Sequence, residues 1–258
     1  MFKVAAITNR DLGSWFHTSS FYFLAVLFFA LTGYFFWSDI SYFSLVSFQV
    51  ATNPELQVKS LNLTEGVLSV FLQNVAIVLL LLLPIFTMRS FAEEKKGGTL
   101  ELLFTYPVSD FQIVLGKFLS LLGILAVLIF PTSIYFFLAE AVGAQFELMS
   151  LVSGYLGLFL LGASFISLGM FVSSLTEHQA MSAGIGFVIL LFFWIAGWMS
   201  EWAGPVWGRI FREFSLVGHF SDLTRGVADT KDVAFFVIFI LFFLFASLST
   251  LEIRSWKK

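Results

Sequence analysis

The amino-acid sequence predicts an all-α membrane protein with six transmembrane helices. Charged residues make up 12% and hydrophobic residues 59% of the 258 residues, whereas soluble domains usually carry about 25% charged residues. The mean hydropathy is +0.92. Six apolar runs are each long enough to cross about 30 Å of hydrocarbon as a helix. They form one predicted transmembrane domain over residues 1–258, with spans at 19–38, 66–88, 111–139, 150–174, 179–199 and 233–251.

The composition also excludes several classes of site. The chain has no cysteine, so disulfides, thiolate metal sites and cysteine nucleophiles are absent. Its net charge is -3 and its Lys and Arg residues form no basic stripe, so no nucleic-acid partner is predicted. His17, His178 and His219 are far apart, and neither an HExxH nor a G-x-S-x-G motif occurs. The sequence therefore predicts no metal site and no catalytic residue.

The distribution of Lys and Arg predicts the orientation. With both termini on one side of the membrane, nine of the 14 basic residues fall on that side and five on the other. The positive-inside rule then places both termini in the cytoplasm. The chain is predicted to cross the membrane several times. The nine are Lys3, Arg10, Arg89, Lys95, Lys96, Lys117, Arg254, Lys257 and Lys258.

An amphipathic segment precedes the first span. Its apolar residues fall roughly on one side of a helix, with charged residues elsewhere, which predicts an interfacial helix on the cytoplasmic surface. The alternative is a frayed tail, which would not need adjacent bulky aromatic residues. The apolar residues are Val4, Ile7, Leu12, Trp15 and Phe16.

The spans contain few polar residues. Gln73 and Asn74 lie in the second span, where a contact between helices is the simplest interpretation. Pro84 and Pro131 are expected to kink the second and third spans. The loop at 39–65 is more polar and is expected to be partly helical.

The fourth and fifth spans carry small residues four positions apart. This spacing lets helix backbones approach closely and indicates helix packing. Residues 200–232 then alternate aromatic, charged and glycine or proline positions, which favours short helices at the outer face between spans five and six. The small-residue pairs are Ser153 with Gly157, Ala180 with Gly184, and Ser182 with Gly186.

The most informative stretch joins spans two and three. Ser90 and Glu93 have capping-box spacing, and the pair at 97–98 is two glycines, which end helices readily. Thr99 is a good N-cap for a short helix that Pro107 would stop. On these residues alone, the apolar side of this short helix faces either lipid headgroups or another protein.

A second capping box starts the third span. Ser109 and Gln112 have the required spacing, and Lys117 lies about one turn inside the apolar run. A lysine there can extend its amine to the membrane surface, so Lys117 is expected to snorkel.

The stretch FAEEKKGGTLELLFTYPVSDFQIVLGKFLS resembles the cytoplasmic segment of ABC-2-type transporter permeases. In that family an acidic-basic cluster precedes G-T-L-E-L-L, then P-V-S and a G-K pair that enters the next span. The number of spans and the predicted helices at both surfaces are also similar to the family. The stretch SLVGHFSDLTRGVADTKDVAFF further resembles the branch of gliding-motility permeases and permeases of nitrous-oxide reductase maturation.

The resemblance implies a coupling helix that docks on a separate ATPase subunit. Leu100, Leu103 and Phe104 would be its apolar anchors. The chain lacks a G-x-x-x-x-G-K-[ST] loop, so ATP and Mg²⁺ are expected in the partner and no cofactor in this chain. The implied contact residues are Thr99, Leu100, Glu101, Leu102, Leu103, Phe104, Thr105, Tyr106 and Pro107, with Glu93, Glu94, Lys95 and Lys96 as polar flanks.

The implied function is that of a non-catalytic permease subunit that exports a substrate by means of ATP hydrolysed by its partner. The implied location is a bacterial cytoplasmic (inner) membrane. A second permease copy, as a homodimer or with a similar permease, and an accessory extracytoplasmic protein are further implied partners. A membrane scaffold without transport and a secondary transporter are the alternatives. The sequence leaves the substrate open among copper or sulfur species, lipid-linked sugars, peptides and drugs.

Overall fold

The structure is a computed structural model that describes residues 2–52, 63–98, 108–141, 143–226 and 229–255. The regular elements in these ranges are helices. They are α1 (Phe2–Phe16), α2 (Ser19–Thr52), a π-helix (Thr64–Ser69) that continues as α3 (Val70–Thr87), α4 (Ala92–Lys96), α5 (Asp110–Ile129), a 3-10 helix (Phe130–Ser133), α6 (Ile134–Ala141), α7 (Leu148–Leu175), α8 (Gln179–Trp202), α9 (Gly204–Phe214), α10 (Leu216–Thr224) and α11 (Thr230–Ser255).

Six helical stretches in the described residues are long and apolar enough to cross a membrane, so the predicted number of spans is confirmed. The first span is longer than predicted, because α2 continues without a break to Thr52. The first part of the 39–65 loop is therefore helical, and residues 53–62 lie outside the described ranges. The six stretches are Ser19–Thr52, Thr64–Lys96, Asp110–Ala141, Leu148–Leu175, Gln179–Met199 and Thr230–Ile253.

The spans divide into an inner and an outer group. In the most apolar 18-residue window of the second, third and fourth spans, 67%, 61% and 78% of the window is buried. In the first, fifth and sixth spans only 17%, 28% and 11% of the corresponding window is buried. Three helices thus form the core, and three present long apolar faces away from it.

Glycines of α7 bring the inner helices together. A methyl group added at Gly162 would meet Leu125 of α5 at 2.7 Å, and one at Gly169 would meet Thr87 of α3 at 2.2 Å. Gly157 is similarly close to Leu223 of α10. The prediction that small residues of the fourth span mark helix packing is therefore confirmed.

Asn74 makes the predicted contact between helices, whereas Gln73 bonds within its own span. Asn74 donates from its amide to Asp39 of α2 at 3.3 Å. Gln73 donates to Ser69 at 3.4 Å, and the Ser69 hydroxyl lies 2.9 Å from that of Thr224 in α10. At Pro131 the third span changes to a 3-10 turn, whereas α3 continues past Pro84 to Thr87.

The two ends of the bundle carry different elements. Helices α1 and α4 meet at one end, which we call the α4 end. The predicted short helices between spans five and six are present as α9 and α10 at the opposite end, which we call the α10 end.

Candidate functional site

The predicted coupling helix, Thr99–Pro107, lies outside the described residues, and the structure describes both of its flanks. On one side α4 ends at Lys96 with Gly97 as its C-cap, and Gly98 takes the left-handed conformation with φ of 67°. On the other side Ser109 caps α5, since Gln112 N donates to Ser109 Oγ and Ser109 N donates to Gln112 Oε1, both at 3.4 Å. The predicted glycine break and second capping box are confirmed.

The first predicted capping box is wrong. Ser90 Oγ donates to the carbonyl of Thr87 at 2.6 Å and caps no helix. Helix α4 instead begins at Ala92 with Phe91 as its N-cap. A serine hydroxyl can bond to a carbonyl three residues earlier, and this local bond competes with the cap.

A serine of α7 takes over the role of the missing cap. Ser173 Oγ accepts from the backbone N–H groups of Phe91 and Ala92, each at 3.1 Å, and donates to the carbonyl of Met88 at 3.1 Å. This uses the full hydrogen-bonding capacity of one hydroxyl. Lys95 Nζ also donates to the carbonyl of Ser174. Helix α4 is therefore fixed to the end of α7.

Four charged side chains form a cluster at the α4 end, which we call the Lys117 cluster: Arg10, Asp11, Glu94 and Lys117. Lys117 Nζ lies 2.8 Å from Glu94 Oε1 and 3.4 Å from Asp11 Oδ2. Arg10 lies 3.3 Å from Glu94 and 2.8 Å from Asp11. Two cations and two anions from α1, α4 and α5 thus neutralise one another.

The predicted snorkelling of Lys117 is wrong. Its side chain is only 5% exposed, and its amine lies 5.5 Å from the centre of the Phe91 ring. A buried amine needs counter-charges, and here Asp11 and Glu94 provide them inside the protein. The apolar run predicted that the lysine would be near a surface, but it contained no sign of a partner in α1.

Gly116 explains how α1 reaches this site. A methyl group there would lie 2.8 Å from Ile7 Cγ2 and 3.4 Å from the carbonyl of Val4. Thr8 Oγ1 donates to the carbonyl of Gly116 at 3.1 Å. The G-K pair therefore acts as a unit: the glycine admits α1, and the lysine binds its charged side.

The apolar side of α1 packs against the spans, so the predicted N-terminal helix is present and anchored. Trp15 stacks edge-on against Phe86 of α3, with centroids 5.3 Å apart. The guanidinium group of Arg89 lies over the Trp15 ring, 5.5 Å from its centre. A cavity of about 400 Å³ opens between these residues and the Lys117 cluster.

The four predicted polar flanks point in different directions. Glu93 and Lys96 are exposed, whereas Glu94 and Lys95 bind other parts of the chain. The prediction that all four contact an ATPase is not tested by this geometry. It does divide them into two residues that face outward and two that hold α4 in place.

Comparison with known proteins places the chain in a family. A sequence model of the family described as "ABC-2 family transporter protein" matches residues 5–212 of the 258. The chain belongs to this family. The match covers most of α1, the Lys117 cluster and the whole stretch between spans two and three.

Two curated relatives of this ABC-2 family member come from Escherichia coli strain K12 and from Escherichia coli O157:H7. Both are named "Probable multidrug ABC transporter permease YbhR". Each is 27% identical over 149 residues, which are 55% of this chain and 39% of the relative. The chain thus spans about two fifths of the length of these relatives. The narrower resemblance to the gliding-motility branch rests on residues beyond the family match and stays a prediction.

The α10 end of the ABC-2 chain contains a second polar site. His219 is buried, and its Nδ1 lies 2.6 Å from Asp232 Oδ1 of α11. Its Nε2 lies 3.2 Å from the carbonyl of Glu213 and so donates, since a carbonyl only accepts. The ring stacks on Phe235 at 4.1 Å. His219 therefore ties α10 to α9 and α11.

A cavity of about 710 Å³ lies beside this contact and is lined mainly by charged and small polar residues. At its edge Lys231 donates to Glu213 at 3.0 Å, and this hydrogen bond lowers the pKa of the Glu213 carboxyl. Within the described ranges no group of three or more His, Cys, Asp or Glu residues is placed to hold a metal ion.

Proposed function

We propose that this chain is the membrane subunit of an ATP-binding-cassette transporter and exports its substrate by means of ATP hydrolysed by a separate subunit. The observation that carries the proposal is the fixed frame around residues 99–107. Helix α4 is bound to α7 through Ser173, and α5 starts at a complete capping box. A segment that is fixed at both ends can transmit a displacement caused by a partner to the spans.

The proposed contact with the ATPase uses the apolar anchors Leu100, Leu103 and Phe104. Glu93 and Lys96 are exposed beside them and form the polar rim of this contact. Glu94 and Lys95 support it indirectly by holding α4. ATP and Mg²⁺ bind in the partner, and this chain contributes no catalytic group.

We further propose that the α4 end faces the cytoplasm and the α10 end faces outward, as the distribution of Lys and Arg predicts. The chain has no cysteine, so a single introduced cysteine reports its own side of the membrane. A thiol reagent that does not cross membranes should label Asp222→Cys in intact cells. It should label Lys96→Cys only after permeabilisation, and the opposite pattern would refute this orientation.

The decisive experiment is co-purification from the protein's own host in mild detergent through a C-terminal tag. We expect an ATP-binding-cassette ATPase in near-equal amount with the native chain. The double variant Leu103→Asp with Phe104→Asp should lose it. The matched control is Leu148→Asp with Met149→Asp, two exposed apolar residues at the opposite end, which should retain it.

Each outcome separates the candidate functions. If the ATPase is retained by the control and lost by the coupling variant, the proposal stands. If a folded native chain brings down no ATPase, the scaffold or secondary transporter is favoured. The relatives' name refers to multiple drugs, so we propose drug-like compounds as the first class to test among the substrates left open by the sequence. Proteins that co-purify with the complex are the best lead to the substrate.

A further inference from the structure

The Lys117 cluster joins three elements that are far apart in the sequence. Asp11 belongs to α1, Glu94 to α4 and Lys117 to α5, and one amine reaches carboxylates of both other helices. Arg10 bridges the same two carboxylates from the outer side. The contact of α1 with α4 is therefore made by charged side chains around one buried lysine.

Each helix in this contact has a different second anchor. Helix α4 is bound to α7 through Ser173, whereas α1 is bound to α5 through Thr8 and Gly116. Glu94 lies only five positions before the proposed coupling helix. A displacement of that helix would act on α4, where the Glu94 carboxylate is bonded to both Lys117 and Arg10.

We infer that Lys117 is a positioning residue that transmits movement of the coupling segment to α1. This inference rests on the proposed function, since the movement comes from the ATPase. The 400 Å³ cavity beside the cluster leaves room for the side chains to rearrange. Its lining includes Trp15 and Phe86, so a shift of α1 would also change an aromatic contact with α3.

The experiment uses the native complex and a reporter on α1. Ala6 is exposed on α1 and takes no part in the cluster. The variant Ala6→Cys offers the single thiol of the chain for an environment-sensitive fluorophore. The signal is recorded before and after addition of Mg-ATP and vanadate, and the amount of co-purified ATPase is measured in the same preparation.

In the native background we expect nucleotide to change the fluorescence. Lys117→Met should lose this change while the amount of bound ATPase stays the same. Lys117→Arg, which keeps the charge, should retain the change. A lysine that only stabilised the fold would not separate the response to nucleotide from binding of the ATPase. If Lys117→Met does not fold, Glu94→Gln removes the same ion pair from the other side, with the same expected loss.

The inference and the proposed function fail in different ways. A native preparation without an ATPase overturns both. A native preparation that contains the ATPase and shows no response of α1 overturns the inference alone. A full response in Lys117→Met, or in Glu94→Gln, also overturns it.

Discussion

At the scale of single residues, Gly116 and Lys117 have complementary roles. The glycine removes the side chain that would keep α1 away, and the lysine supplies the charge that holds it. Removing one partner of a buried ion pair costs about 3–5 kcal/mol, because the other charge is left uncompensated. Gly116 and Lys117 together therefore have a large effect on the position of α1.

Gly116 offers a direct test of this packing. Gly116→Ala places a methyl group within 2.9 Å of two atoms of Ile7, and such overpacking costs about 1–3 kcal/mol. We expect a lower melting temperature in detergent and faster proteolysis within α1.

The matched control is Gly13→Ala in α1, since the added methyl group there would meet no neighbouring side chain or helix of the described residues within 4 Å. Both glycines are helical, so alanine improves helix propensity by about 0.5–1 kcal/mol at each position. The control should be neutral or more stable. Equal melting temperatures for the two variants would show that α1 does not pack on Gly116.

At the scale of elements, the sequence predicted the helices better than their contacts. Hydropathy alone located the six spans, because lipid requires long apolar helices whose backbone groups are paired internally. The helix break at Gly97–Gly98 and the capping box at Ser109 were likewise predicted correctly from local backbone chemistry. These features depend on neighbours in the sequence, so sequence patterns report them well.

The contacts that fix the candidate site depend on distant residues. Neither Ser173 under α4 nor Asp11 beside Lys117 could be paired with its partner from sequence, because 82 and 106 positions separate the bonded residues. Ser90 has the right spacing for a cap but bonds to Thr87 instead. The contact of residues 99–107 with an ATPase stays a prediction.

The contact of α10 with α11 gives a prediction at the element scale. Asp232→Asn removes the charged partner of His219, and a buried hydrogen bond to a charged group is worth about 1.5–3 kcal/mol. We expect faster hydrogen exchange of the backbone in α10, with exchange in α5 unchanged, because local opening is confined to elements that lose contacts.

Asp229→Asn provides the control for this experiment. Asp229 is exposed and accepts from Lys231 N at 3.1 Å, and asparagine serves this capping role about equally well. Exchange in α10 should stay at the native rate in this variant. If both variants, or neither, open α10, then His219 does not hold the two helices together through Asp232.

At the scale of the whole molecule, the two groups of spans suggest how copies associate. The exposed face of α2 is largely aromatic, with Phe23, Tyr34 and Trp37 each more than half exposed. The exposed side of α8 includes Gly184, and an added methyl group there would meet no neighbouring side chain or helix of the described residues within 4 Å. Small residues favour close approach of helices in membranes, so α8 is the better candidate for contact with a second copy.

This assignment predicts that Gly184→Leu weakens self-association without disturbing the fold of one copy. The leucine fills the space that a second helix would occupy, whereas within the described residues its Cβ has no neighbouring side chain or helix within 4 Å. Light scattering in mild detergent should show two copies for the native chain and a shift toward one copy for the variant.

Ala234→Leu is the control, because Ala234 is a small exposed residue on the outer helix α11, and it should leave two copies. In membranes treated with an added oxidant, Gly184→Cys should form a disulfide between copies, and the cross-link can only join these two positions because the chain has no other cysteine. A native chain with one copy, or two copies in Gly184→Leu with no cross-link at Gly184→Cys, would place the contact elsewhere and leave α8 to face lipid.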